Sequence, residues 1–208
     1  MIRAVIWDYG GVFSGSPFGA MSGVARRLGV DPQRYLEIVF GPYDRDTDHP
    51  WHRLERGEAT LVQARDEIIE LGRREGVDSD PFHLFTAMGG GGMRDEVVGC
   101  ARGLKARGLG SALVTNNALE FREYWRRSIP LDELFDHVID SSEVGMRKPD
   151  PRIFELALDR LGVEASGAVF LDDHPGNVEA ARRVGIRGVL VTDAYGDALA
   201  ELARLLEG

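Results

Sequence analysis

The chain has 208 residues and a formal net charge of -9, with 43% hydrophobic and 28% charged residues. That balance fits one α/β domain with a small insert and excludes a disordered or membrane-spanning chain; the net negative charge argues against nucleic-acid and anionic-membrane partners. Cys100 is the lone cysteine and no apolar region of signal-peptide length precedes Asp8, so a cytoplasmic location without an intrachain disulfide is expected.

Ala4 to Trp7 opens the chain as a short apolar run without the alternation of a half-wet strand, and it ends at Asp8. From about Ser16 to Gly92 no strand pattern appears. Met21, Val24, Ala25 and Leu28 form one helical stripe, and Asp31-Pro32 starts a second helix. The polar stretch Gly41 to Trp51 carries Tyr43 and Trp51, read either as pocket walls or as ring anchors of an exposed loop. Thr60 to Gln63 is a capping box, after which Ala64, Ile68 and Leu71 continue a stripe. Gly89 to Gly92 reads as a flexible return linker. The segment is therefore expected to be an all-helical insert.

The remainder alternates. A helix over Asp95 to Arg107 leads to an apolar run at Ala112 to Val114, and residues 118 to 128 form the next helix. His137 to Ile139 is a third run. Asp150-Pro151 caps and starts a helix whose Phe154, Ala157, Leu158 and Leu161 share one face and whose end is Gly162. Ala168 to Leu171 and Gly188 to Val191 are the last two runs, with helices from about Asn177 to Val184 and Asp197 to Leu206. This order predicts a doubly wound parallel sheet of at least five strands. The Arg pairs at 26–27, 73–74, 126–127 and 182–183 fall among helical patterns and read as solvated faces.

Polar clusters stand just after four of the runs: Asp8, then Thr115-Asn116-Asn117, then Arg147-Lys148-Pro149-Asp150, then Asp172-Asp173. Ligands bind beyond the carboxyl ends of strands in open parallel sheets, so the topology gathers these residues. Carboxylates suit a hard divalent cation, a hydroxyl with amides suits phosphate oxygens, and a lysine offsets charge on both. Alone, each cluster is more simply a turn, a cap or a solvated residue. All four in this order form one chemical set.

Four segments carry a resemblance to the haloacid-dehalogenase-like superfamily. They are Ala4 to Val12 around Asp8, Leu113 to Asn117, Val144 to Phe154 around Lys148, and Phe170 to Ala181 around Asp172-Asp173. Leu54-Glu55-Arg56-Gly57-Glu58 resembles the sugar-phosphate phosphatase branch and the phosphatase domain of soluble epoxide hydrolases. The resemblance implies a Rossmann-like α/β core over residues 1–14 and 93–208 and a helical cap over 15–92. It implies Asp8 as nucleophile, and Mg²⁺ held by Asp8, the Gly10 carbonyl and Asp173, with Asp172 a close or direct partner. Thr115 and the Asn116 amide would take phosphate oxygens, and Lys148 would hold Asp8 and stabilise the transferring group. The substrate would be a small phosphorylated metabolite.

One position departs from the pattern. Most phosphatases of this superfamily carry a second Asp two residues after the nucleophile as general acid and base; here that residue is Gly10. General acid-base catalysis contributes roughly 10²–10⁴-fold, so a slow phosphatase, another proton donor or better leaving groups are expected. Substitute donors are His174, His49, His52 and Glu55, each also readable as a solvated side chain. Two other readings stay open: a weak or inactive phospholigand- or partner-binding module, and a 2-haloacid dehalogenase. The dehalogenase branch reads Asp-x-Tyr-Gly-Thr, whereas Tyr9 lies one position early here and a magnesium-type acidic pair is present.

Overall fold

The computed structural model describes residues 1–88 and 92–208. Its centre is a five-stranded, wholly parallel sheet in the order β3-β2-β1-β4-β5. The strands are β1 (Ala4–Trp7), β2 (Gly110–Thr115), β3 (His137–Asp140), β4 (Ala168–Asp172) and β5 (Arg187–Leu190). The register pairs Trp7 with both Leu113 and Leu171, so β4 runs one residue and β2 two residues beyond the end of β1. Every residue of β1 and β4 is buried, as a sheet covered on both faces requires. On one face Trp7, Leu113 and Leu171 pack with Phe13, Trp125 and Leu202; on the other Ile6, Val114 and Phe170 pack with Phe154 and Ala181.

Among the described residues β1 is followed by the helices α1 (Pro17–Leu28), α2 (Pro32–Phe40), α3 (Pro50–Glu55), α4 (Leu61–Glu75) and α5 (His83–Ala87). After the return come α6 (Asp95–Ala106), α7 (Arg122–Ser128), α8 (Leu131–Leu134), α9 (Ser141–Val144), α10 (Pro151–Leu161), α11 (Pro175–Val184) and α12 (Tyr195–Glu207). The insert has its own apolar cluster, with Met21, Ala25, Tyr35, Phe40, Leu54 and Ile68 at its centre. Local chemistry sets the helix starts. Ser16, Asp31, Asp150 and Thr60 accept bonds from the first-turn amides of α1, α2, α10 and α4, and the Thr60–Gln63 capping box is complete. Such caps contribute about 1 kcal/mol each.

Several expectations shift. Leu28 is 42% exposed although it continues the Met21, Val24 and Ala25 stripe, because it stands in the last turn of α1, where Arg26 and Arg27 are exposed too. The fifth strand ends at Leu190 rather than Val191. Helix α11 begins two residues early, at Pro175, because His174 accepts a bond from Gly176 N and acts as its cap. Residues 118–128 divide into a 3-10 turn at Leu119–Phe121 and α7. The expected glycine linker falls mainly on residues 89–91, outside the described residues. Among the described residues no helix is long and apolar enough to cross a membrane.

Candidate active site

The carboxyl ends of β1, β2 and β4 bring the acidic, hydroxyl and lysine groups together. Lys148 reaches them from the loop after α9, 1% exposed, with Nζ 2.7 Å from Asp8 Oδ1 and 2.7 Å from Asp172 Oδ2. Asp8, Asp172 and Asp173 each offer an oxygen within 4.8 Å of the others. Thr115, 2% exposed, and Asn116 line the same cavity with Gly10.

The electrostatics are unbalanced toward negative charge. Burial pushes the Asp8 carboxyl well above its ordinary value, with Asp172 and Asp173 adding to the shift and Lys148 opposing it. Burial, then the Asp172 charge, pushes Asp173 up to about 7. Burial works against the Lys148 ammonium, yet Asp172 and Asp8 outweigh it and hold its pKa above the ordinary value. Three carboxylates thus face one ammonium, a donor set that fits a hard divalent cation.

The three carboxylates are not equivalent. Asp172 is fully buried, and its oxygens accept from Lys148 Nζ, from His174 N at 2.7 Å and from Asn177 Nδ2 at 3.1 Å. Asp173 is held by the Ser16 hydroxyl, which donates to Oδ2 while also capping α1. Ser16 and Asn177 were not singled out by sequence. The Ser16-Pro17 helix-start pair and the position of Asn177 in the first turn of α11 are the signals that mark them.

Asn116 has a role that its residue type did not reveal. Its Nδ2 donates to Lys148 O at 2.9 Å, and its Oδ1 accepts from Lys148 N at 2.8 Å. The side chain therefore clamps the Lys148 backbone.

The glycines after Asp8 separate into two cases. At Gly11, with φ of 72°, an added Cβ would lie 2.1 Å from Asp173 Cγ, so only glycine lets this turn approach the Asp173 carboxylate. At Gly10 the backbone is outside the left-handed region, and a Cβ would meet only the Pro17 ring, Cδ at 3.5 Å and Cγ at 3.7 Å. A side chain at position 10 is sterically acceptable.

The substitute proton donors resolve differently. His49 and His174 each precede a proline at a helix start and accept a first-turn N–H through Nδ1, from Trp51 at 3.2 Å and Gly176 at 3.1 Å. His52 is fully buried and its Nδ1 accepts from Thr47 N at 3.0 Å. That bond and a pKa lowered by burial to about 2 make it a neutral imidazole, not the ionic partner of Asp46, 3.6 Å away. Glu55 alone of the four lines the cavity. Its carboxylate accepts from Arg147 Nε at 2.6 Å, from Trp51 Nε1 at 2.8 Å and from the Tyr43 hydroxyl. Burial and then the Glu55 charge raise the Tyr43 phenol well above its ordinary value, so it stays a neutral donor.

Residues 2–185 match the model of the haloacid dehalogenase-like hydrolase family, and the chain belongs to that family of enzymes. Over 98% of its length it is 34% identical to acyl-CoA dehydrogenase family member 10 of Mus musculus and 35% identical to bifunctional epoxide hydrolase 2 of Rattus norvegicus. It spans only 19% and 39% of those two proteins. It is 29% identical to the sesquiterpene phosphatase astK of Aspergillus oryzae, covering 98% of this chain and 96% of that one. A HAD family enzyme from Bacteroides thetaiotaomicron, solved in complex with magnesium and inorganic phosphate, shares the fold with a TM-score of 0.61. That similarity covers 91% of this chain and 94% of the other at 18% identity.

Proposed function

We propose that this hydrolase cleaves phosphate monoesters of small metabolites, with Asp8 as nucleophile and Mg²⁺ as cofactor. The observation that carries the reading is the bridge of Lys148 Nζ between Asp8 and Asp172, beside a third carboxylate, at the carboxyl edge of the sheet. Asp8, Asp173 and the Gly10 carbonyl would hold the ion, and Asp172 would act mainly by fixing Lys148. A bound Mg²⁺ would supply charge neutralisation between the incoming phosphate and the carboxylates.

The chain's own groups account for the rest. Asp8 Oδ attacks phosphorus as the P–O ester bond breaks; the ester oxygen leaves with its electron pair, giving an aspartyl-phosphate. Thr115 Oγ1 and the Asn116 N–H donate to phosphate oxygens, and Lys148 stabilises the transferring charge. Water then attacks phosphorus, its protons ending on the released phosphate, and the Asp8 carboxylate is regenerated. With Gly10 in place of an acid, the departing oxygen takes its proton from solvent. Residues 15–92 act as the cap and residues 1–14 with 93–208 as the catalytic core. The test is phosphate release with Mg²⁺ and mass detection of phosphorylated Asp8 in a quenched reaction. Full retention of turnover in Asp8→Asn would remove this route. Phosphate binding without hydrolysis of any ester would favour a binding module.

A further inference from the structure

Resting on the phosphatase reading above, we propose that the preferred substrate is a monophosphate ester of a phenol: an aromatic, otherwise uncharged alcohol. Two independent observations converge on this class. The first is the cavity beyond the catalytic cluster. Phe18, Phe40, Tyr43, Trp51, Leu84 and Met88 wall it, all contributed by the insert, and Phe121 closes the core side. Phe40 packs on Trp51 at 4.9 Å and Phe18 on Tyr43 at 4.8 Å between ring centroids, so the walls are rigid aromatic faces. The whole cavity, its catalytic end included, is about 170 Å³, so the space left beyond a bound phosphate group suits a single ring or short branched chain.

The polar atoms on those walls are already engaged. Tyr43 OH donates to Glu55 and accepts from Trp51 Nε1, and Glu55 is further held by Arg147. The remaining polar lining, Ser14, Asn117 and Asn177, comes from the core side, so sugar hydroxyls directed at the insert walls would leave water there without partners. Among the described residues Lys148 is the one cationic side chain lining the cavity, and Asp8 and Asp172 hold it. A second carboxylate or phosphate on the substrate would meet no counter-charge, and would face Glu55.

The second observation is Gly10. Without an acid at that position the ester oxygen departs as an anion. A phenol, with a pKa of about 10, tolerates that far better than an aliphatic alcohol. The pocket selects for an aromatic body, and the missing acid selects for a phenolic oxygen.

The test compares phenyl phosphate, cyclohexyl phosphate, glucose 6-phosphate, 4-carboxyphenyl phosphate and acetyl phosphate with Mg²⁺ present. Phenyl phosphate is expected to exceed glucose 6-phosphate and 4-carboxyphenyl phosphate in kcat/KM by about 100-fold. Cyclohexyl phosphate is expected to share its KM but fall in kcat. In the Asp8→Asn variant, calorimetry is expected to show tighter binding of phenyl phosphate than of glucose 6-phosphate. Met88→Lys places a cation on the wall and is expected to reverse the preference between phenyl and 4-carboxyphenyl phosphate. Equal handling of the phenyl and sugar esters, with acetyl phosphate turned over, overturns the substrate assignment and leaves the phosphatase reading standing. Equal kcat for phenyl and cyclohexyl phosphate overturns the phenolic part of the assignment. Failure to turn over any of the five, acetyl phosphate included, overturns the phosphatase reading itself.

Discussion

Replacing Glu55 by Gln removes one charge from the buried pair that joins the insert to the core. Arg147 is 0% exposed and Glu55 3%, with Nε to Oε2 at 2.6 Å. Removing one member of a buried pair costs about 3–5 kcal/mol, because the other charge stays desolvated. Asp46 Oδ1, 3.4 Å from Arg147 Nη1, and the Tyr43 ring, 4.6 Å from its guanidinium carbon, still compensate part of it. The low end, about 3 kcal/mol, is therefore expected, and for a chain of this size that lowers Tm by about 6–12 °C. Gln can keep its oxygen on Trp51 and Tyr43, but its amide NH₂ then faces Arg147 Nε–H in place of Oε2, so the loss combines the charge with that hydrogen bond. Thermal unfolding followed by circular dichroism measures it. The double variant Glu55→Gln/Arg147→Met leaves no buried guanidinium and is expected to recover most of the loss. A single variant within about 1 kcal/mol of the parent, or a double variant no better than the single, would refute the reasoning.

Four further outcomes are expected. Gly10→Asp should fold with Tm near the parent, since its Cβ meets only ordinary contact with Pro17, and should raise kcat on alkyl phosphates, by up to roughly 10²–10⁴-fold; stopped-flow and steady-state rates on a leaving-group series check this. Lys148→Met should cut kcat by at least roughly 10²–10³-fold, measured as phosphate release at saturating Mg²⁺. Mg²⁺ at 100 times its Kd should stabilise the fold by about 2.7 kcal/mol, and Asp173→Asn should erase most of that gain in a thermal shift assay. His52 is neutral and its folded pKa, about 2, lies below that of the unfolded chain. At this residue the unfolded state therefore binds the extra proton below about pH 6.5, and the His52 contribution to stability falls by about 1.4 kcal/mol per pH unit as pH drops through that range, opposite in sign to the contribution of the raised Asp173 carboxyl. Urea titrations from pH 7 to pH 5 should show His52→Gln gaining stability relative to the parent as pH falls.

Strands β1 and β4 were legible because each is a short apolar run closed by an acidic residue, Asp8 and Asp172-Asp173, and Thr115 closes the apolar end of β2 in the same way. Asp31, Thr60 and Asp150 announced their helices through side chains that bond amides a few residues away. What the chain did not disclose is long-range. Arg147 meets Glu55 across 92 positions, and Asn116 meets Lys148 across 32. No local pattern encodes such pairs. The histidines misled for the opposite reason: His49 and His174 resemble mobile donors by residue type, but the following proline marks each as a cap. Gly10 and Gly11 look alike in sequence, and only the distance to Asp173 separates a replaceable glycine from an obligatory one.

Arg147 and Lys148 are consecutive, yet one side chain reaches the insert at Glu55 and the other the nucleophile at Asp8. The two halves of the molecule are consequently not freely interchangeable parts. A chimera that received an insert from a relative would need a carboxylate at position 55 to meet Arg147. Without it, the same peptide unit that carries Lys148 would border an unneutralised guanidinium. Gly57, whose added Cβ would lie 2.6 Å from Ser142 O, imposes a second condition on the graft. Recombination within this family should therefore succeed when Glu55, Gly57 and Arg147 are inherited as one unit.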